Sequence, residues 1–333
     1  MRVVILGCGV SGLSCGVRLL EAGYTVEVWA RELPPHTTSD VAAAIWYPYR
    51  ASPQERVSAW AGRTFEVLSA LAADAGTGVR LVRGVELLRE PSPDPWWRPC
   101  VTGFRHATAA ELRPGHADGY VFDAPIIDMS RYLPWLLGRF HQLGGGLERR
   151  EVRSVDEVAG DAVVVNCTGL GSRELLGDTS LFPIRGEVLR VAPLPEARFL
   201  LDEDEARGMT YLVPRFEDCI LGGTAEEGNA SLTPDPAQAR AILARVARLL
   251  PEGTPVHVLE HRVGLRPGRP TVRLEREWRD GRPLVHDYGH GGAGVTLSWG
   301  CAEEVVALVD QVRAGATHVG PSGNPSRRRD DGT

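Results

Sequence analysis

Apolar positions along this chain recur with two periods. Arg2–Leu6 is a short β-branched run, the pattern of a strand buried on both faces. Leu13, Val17, Leu19 and Leu20 then recur at helical spacing and stop at Ala22-Gly23, and Thr25–Ala30 reads as a second strand. Residues 55–75 have helical spacing with polar faces, Leu81–Leu88 reads as a strand, and Pro91–Pro99 as a loop over an apolar surface. Tyr132–Leu143 is helical, and Gly144–Gly146 and Asp161–Val165 return to a parallel sheet. Several strand-like segments within 181–224 suit antiparallel pairing. Ala237–Leu250 is an amphipathic helix, His257–Gly264 and Val285–Tyr288 are strand-like, and Thr296–Val312 is the last helix. Parallel-sheet signals at both ends and in the middle predict an α/β fold. A discontinuous Rossmann-like domain would take 1–50, 140–180 and 265–318. An inserted α+β domain on a mainly antiparallel sheet would take 51–139 and 181–264, and 319–333 reads as a disordered tail.

Gly7-Cys8-Gly9-Val10-Ser11-Gly12, between the first strand and the first helix, is a complete G-x-G-x-x-G. Gly7 permits the tight turn, Gly9 lets backbone approach a pyrophosphate, and Gly12 lets the helix pack on the strand, its N-terminus facing the phosphates. The second strand ends at Arg31-Glu32. Glu32 is read as the ribose-binding acid rather than mid-strand Glu27, and Arg31 leaves a 2′-phosphate formally open. The hydroxyls of Thr37-Thr38-Ser39 would donate to phosphate or ribose, with a helix cap as the alternative. Small residues after them would let backbone amides lie against a flat ring. A second glycine cluster, His290–Gly294, precedes the last helix and offers another set of bare amides at a positive helix end. One dinucleotide needs one pyrophosphate cradle, so the second favours a flavin, whose reduced pyrimidine edge carries negative charge.

Composition narrows the chemistry. The chain has 333 residues and a net charge of −6, and all 37 basic residues are arginine. Without lysine there is no Schiff base and no P-loop lysine; a planar cation suited to carboxylates remains. The acidic balance argues against nucleic acid or a polybasic membrane contact. The six cysteines show no C-x-x-C and no zinc spacing, so no metal is expected, and Cys8 and Cys15 read as core residues. The first residues are too short for a signal peptide and no window approaches a membrane span, which makes a cytoplasmic enzyme the expectation.

The motifs RVVILGCGVSGLS, TTSDVAAAIWYPY, VVNCTG, GMTYLVP, VGLRPGRPTVRLERE and HDYGHGGAGVTLSWGCA resemble the FAD-dependent D-amino-acid oxidases and their relatives the D-aspartate oxidases, over about residues 1–312. The resemblance implies non-covalent FAD. Its holders would be Gly7, Gly9, Val10, Ser11 and Gly12; Arg31 and Glu32; Thr37, Thr38 and Ser39; Ala43, Ala44 and Ile45; Val152 in a middle strand with Thr168; and Gly291, Gly292, Ala293, Gly294, Val295 and Thr296. It also implies that Arg266 grips the substrate carboxylate, Tyr211 shares it and the Gly292 carbonyl accepts the amine, with Tyr47 where vertebrate members carry glutamine. The implied reaction is hydride transfer from the α-carbon of a neutral D-amino acid to flavin N5, with no side-chain acid or base. Oxygen takes the electrons as hydrogen peroxide, and the imino acid hydrolyses to a 2-oxo acid and ammonia.

Three departures bear on specificity. The segment before Tyr211 is shorter than in lidded members and lacks their second tyrosine. Tyr47 replaces the glutamine. Asp204 and Ala225 stand where D-aspartate oxidases place arginines, which argues against acidic substrates, while the acidic run Asp202–Glu205 could favour basic ones. A glycine- or sarcosine-type amine oxidase is the alternative enzyme, a non-catalytic nucleotide-binding homologue the alternative class, and a homodimer stays open. Sarcosine-oxidase relatives place a lysine by the flavin, and this chain has none.

Overall fold

The computed structural model describes residues 1–202, 204 and 208–318, so Glu203 and Glu205–Arg207 of the lid segment and the expected tail at 319–333 lie outside the described residues. In chain order the elements are β1 (Arg2–Leu6), α1 (Val10–Glu21), β2 (Thr25–Ala30), α2 (Gln54–Leu71), β3 (Val79–Leu88), β4 (Thr102–His106), β5 (Asp118–Ile127) and α3 (Met129–Gln142). There follow β6 (Gly146–Arg149), β7 (Val163–Asn166), α4 (Ser172–Leu176), β8 (Phe182–Val191), β9 (Leu200–Asp202), β10 (Thr210–Pro214), β11 (Cys219–Gly222) and β12 (Glu226–Glu227). The chain continues through α5 (Pro236–Val246), β13 (Val258–Gly268), β14 (Arg273–Arg279), β15 (Arg282–Tyr288) and α6 (Gly294–His318).

The first sheet has the order β14-β15-β7-β1-β2-β6. All its pairings are parallel except that of edge strand β14. The β-branched run of β1 is buried on both faces: Val3 and Ile5 join one apolar cluster, Val4 and Leu6 another. Helix α1 packs on α6 and α3. Gly16 allows this approach, since a Cβ there would stand 2.8 Å from the Phe140 ring of α3.

The second sheet runs β12-β8-β11-β10-β9-β3-β5-β4, with β13 along the other side of β8, and only β3 and β9 pair in parallel. Its register sorts side chains into two faces. Val121, Val85, Leu200, Leu212, Leu221 and Leu189 form a matched row covered by Ile242 and Val246 of α5. One position along, Tyr120, Glu86, Leu201, Tyr211, Gly222 and Val188 form a row on the opposite face. That face belongs to the large cluster shared with the first sheet.

The expected α/β architecture is present, with different boundaries. Leu265–Gly268 pair with Phe182–Arg185 in the antiparallel sheet rather than opening the cofactor domain. Helix α2, expected in the substrate domain, packs on α6, and α3, which crosses the expected boundary at 139/140, packs on α1. Amphipathic helices go where a matching apolar face is free, and here the Rossmann half supplies it. Val152 lies between β6 and the turn at Val155–Glu157, not in a strand, with its side chain on the outer cluster of the first sheet.

Candidate active site

The glycine turn stands at the carboxyl edge of β1. Gly7 has φ +109°, and a Cβ on it would fall 2.5 Å from the Cys167 carbonyl oxygen. A Cβ on Gly12 would fall 2.0 Å from the Gly7 oxygen, so only glycine lets α1 start this close to its strand. The Val10 amide in the first turn donates to Ser39 Oγ at 3.1 Å, which ties residues 37–41 to the turn. The Cys8 thiol, pushed up to about 12 by burial and then by Asp40, stays protonated in the loop. Arg31 and Glu32 sit together, exposed, past the end of β2, and Arg31 also reaches Glu151.

Thr37 takes the cap role left open by its sequence. Its amide and hydroxyl both donate to Asp40 at the start of the short helix Thr38–Val41. Ser39 meets Val10, and Thr38 is exposed. Ala43–Ile45 then runs along the end of β5 that lies beyond its pairing with β4: Ile127 N–H donates to the Ala44 carbonyl, and Trp46 N–H to that of Pro125. Ala44 lies in the left-handed region at φ 52°, where its small side chain is tolerated.

At the other end of the site, α6 begins at Gly294, after Gly291-Gly292. A buried pair props this loop: His290 Nε2 lies 2.9 Å from Asp287 Oδ1, and the Cys15 thiol donates to Asp287 Oδ2 at 3.4 Å. The fold thus gathers Cys15, Cys167, Asp287, His290 and Cys301, which no spacing in the sequence connected. The Thr296 hydroxyl bonds the amide and carbonyl of Tyr47 at 3.0 and 2.9 Å, so it serves to join α6 to the 37–47 segment. Thr168 is similarly turned inward, to Asn166 Oδ1 and Ser172 Oγ, both at 2.8 Å.

Arg266 on β13 faces this loop. Its guanidinium lies over Gly186, where a Cβ would approach within 2.3 Å, and Nη1 donates to the Thr224 carbonyl at 3.0 Å. Among the described residues no carboxylate pairs with it, although most arginines of the chain have one. The Gly291 amide donates to Pro267 at 2.9 Å, and the Cβ position of Gly292 is 3.5 Å from Arg266 Cδ and 2.4 Å from the Tyr49 ring. The Tyr211 ring lies across Gly222, 1.9 Å from where a Cβ would be. Glycines 186, 222 and 292 therefore make space for the two large polar side chains.

Four segments, 7–12, 37–47, 264–267 and 291–296, thus converge with β8, β10 and β11. Val152 and the side chains of Thr168 and Thr296 point into neighbouring structure instead. Asp202, from the acidic run, is on the opposite face from Tyr211 and is bound by Arg89 at 2.7 Å and His116 at 3.1 Å. It is therefore withdrawn from substrate recognition. Sequence reading missed Gly186, the Asp287–His290 pair and Glu86, which accepts the Tyr47 hydroxyl at 2.9 Å. Burial pushes Glu86 up to about 7 against the opposing pull of that hydrogen bond. Glu86 left only a strand-internal charge as a signal, and register was needed to place it.

The site fits a flavin dinucleotide: a cradle that any Cβ would fill, two helix N-termini at the carboxyl edge of one parallel sheet, and an acid past β2. Residues 2–308 match the family model described as FAD dependent oxidoreductase. The chain is 59% identical to a D-amino-acid oxidase of Rubrobacter xylanophilus over 310 residues, which is 92% of this chain and 95% of that protein. It is 46% identical to a D-amino-acid oxidase of Streptomyces coelicolor, covering 92% and 96% of the two. The crystal structure of glycine oxidase from Geobacillus kaustophilus superposes with a TM-score of 0.76 at 19% identity, over 93% of this chain and 95% of that one. That likeness is one of fold.

Proposed function

The chain belongs to the FAD-dependent oxidoreductase family, and from that premise we propose that it is a D-amino-acid oxidase whose substrate is held by Arg266, Tyr211 and the Gly292 carbonyl. The observation that carries the residue assignment is the guanidinium of Arg266 beside Gly292, which has no carboxylate partner among the described residues. A part-buried arginine with no carboxylate of its own is a ready receptor for one, in the two-point geometry that its planar fork provides. FAD supplies, when bound, a two-electron acceptor for the substrate Cα–H bond and passes the electrons to oxygen as hydrogen peroxide.

Gly7, Gly9 and Gly12 would hold the pyrophosphate, Glu32 the ribose, and the amides at the start of α6 the pyrimidine edge of the ring. The chain's contribution to the reaction is positional. Arg266 and Tyr211 fix the carboxylate and the Gly292 carbonyl accepts the ammonium or amine hydrogen; with these two substituents held, only one enantiomer would turn its Cα–H toward the cofactor. No lysine is present, and the histidine in the row of Tyr211, His106 opposite Tyr120, sits exposed on edge strand β4 and is held by Asp118 and Asp94, so the C–H step is assigned no side-chain base. The substrates are D-amino acids without a side-chain carboxylate, and the enzyme is cytoplasmic.

The test is a panel of D- and L-amino acids with glycine and sarcosine, scored by peroxide release. Turnover of D-amino acids with L-enantiomers inert is expected. Strong turnover of sarcosine without D-amino acids would overturn the reading. In Arg266→Ala, KM should rise by orders of magnitude while FAD stays bound.

A further inference from the structure

The mechanism above leaves one carboxylate on the substrate face unused. Glu86 pairs in register with Tyr120 of β5 and Leu201 of β9, and Leu201 pairs with Tyr211. Glu86 therefore stands in the row of Tyr211, two strands away, or about 10 Å at the usual spacing. It is only 7% exposed. Oε1 accepts the Tyr47 hydroxyl, while Oε2 is buried and has no hydrogen-bond partner. Among the described residues no arginine or histidine is paired with it. An enclosed carboxylate with one oxygen unanswered is stabilised by a cation or a donor brought to it, and loses stability without one.

We propose that Glu86 is a specificity-determining residue that receives the cationic end of a basic D-amino-acid side chain, such as that of D-lysine or D-arginine. This rests on the D-amino-acid oxidase reading. With the substrate's carboxylate at Arg266 and Tyr211, its side chain extends along the row over Leu201, an apolar floor suited to a methylene stem. The four-carbon stem of lysine is long enough to deliver its ammonium to Oε2. D-Alanine ends short and leaves Oε2 unanswered, and a D-glutamate side chain would bring like charge to it. The acidic run before Tyr211 had suggested basic substrates, but Asp202 is turned away to Arg89 and His116. The fold transfers that role to a residue on β3.

Two measurements on the FAD-loaded protein test this. In the first, kcat/KM is obtained for D-lysine, D-arginine and D-leucine in wild type and Glu86→Gln. The D-lysine to D-leucine ratio is expected to fall at least tenfold in the variant; an unchanged ratio overturns the assignment. The second needs no turnover and no variant. 6-Aminohexanoate, which carries the carboxylate and terminal ammonium without an α-amine, should bind at least tenfold more tightly than hexanoate by calorimetry. Equal or weaker binding overturns the assignment even if Glu86→Gln does not fold. If no D-amino acid is oxidised at all, it is the enzymatic reading that fails; if D-leucine is oxidised with an unchanged ratio, only the role of Glu86 fails.

Discussion

Replacing Glu86 by Gln should make the protein more heat-resistant above neutral pH and have little pH-linked effect in acid. Burial holds the carboxyl near 7, against an ordinary value of 4.5. The folded chain thus keeps a proton that the unfolded chain gives up over that interval. The protonated group's contribution is fully present below about pH 4.5 and is lost as pH rises through 7. The gap corresponds to about 3 kcal/mol once both states are ionised. With an unfolding entropy of ~2.1 cal/mol/K per residue, a chain of 333 residues should shift its melting temperature by about 4–5 °C. Glutamine keeps the acceptor for the Tyr47 hydroxyl but does not titrate. The amide it leaves unsatisfied adds an offset that is the same at every pH, so the readout is the change with pH. Melting of the FAD-loaded wild type and variant between pH 4 and pH 9 should show the difference opening by 4–5 °C from the acid end to pH 8. A difference that stays constant across the range would refute the idea that Glu86 is an enclosed, uncompensated carboxylate.

Gly12→Ala puts a Cβ 2.0 Å from the Gly7 oxygen, and the purified variant should fold yet lose most of its flavin absorbance. Gly222→Ala displaces the Tyr211 ring, and KM for D-amino acids should rise about tenfold with circular dichroism unchanged, at a cost of roughly 1.4 kcal/mol in binding. His286 is enclosed and drawn down to about 4, first by burial and then by Arg273, so it is neutral in the fold. The unfolded chain protonates it below about 6.5, so stability should fall as pH drops from 6.5 to 4; urea midpoints for His286→Gln should show a shallower fall.

Much of the cofactor half was legible locally. A glycine's tolerance for φ +109°, or for backbone 2.0 Å from a missing Cβ, is a property of one turn, and G-x-G-x-x-G announces it before any contact is known. The second sheet was less legible because its cues conflict with local rules. β5 carries Pro125, which argues against a strand. The Pro125 carbonyl accepts from Trp46 at the outer edge of β5, so its missing N–H falls on that edge and removes no bond to β3. The hydroxyls at 37–39 were ambiguous between capping and ligand binding, and the fold divides them: Thr37 caps and Ser39 meets Val10.

The sequence by itself determined the nucleotide cradle, the second glycine loop, the exclusion of lysine chemistry and the candidacy of Arg266 and Tyr211. The first three depend on residue type and short spacing, and the last on the resemblance of whole motifs to a known family. Tertiary structure alone decided which charged groups share a surface. Strand register changes face with every residue, so Asp202 and Glu86, both acidic and both in strands, end on opposite sides of one sheet. One is bound by Arg89 and His116, and the other faces the same side as Tyr211 with an oxygen unanswered. The side-chain specificity proposed for Glu86 rests on that parity, which hydrogen bonds between distant strands set and no local pattern records.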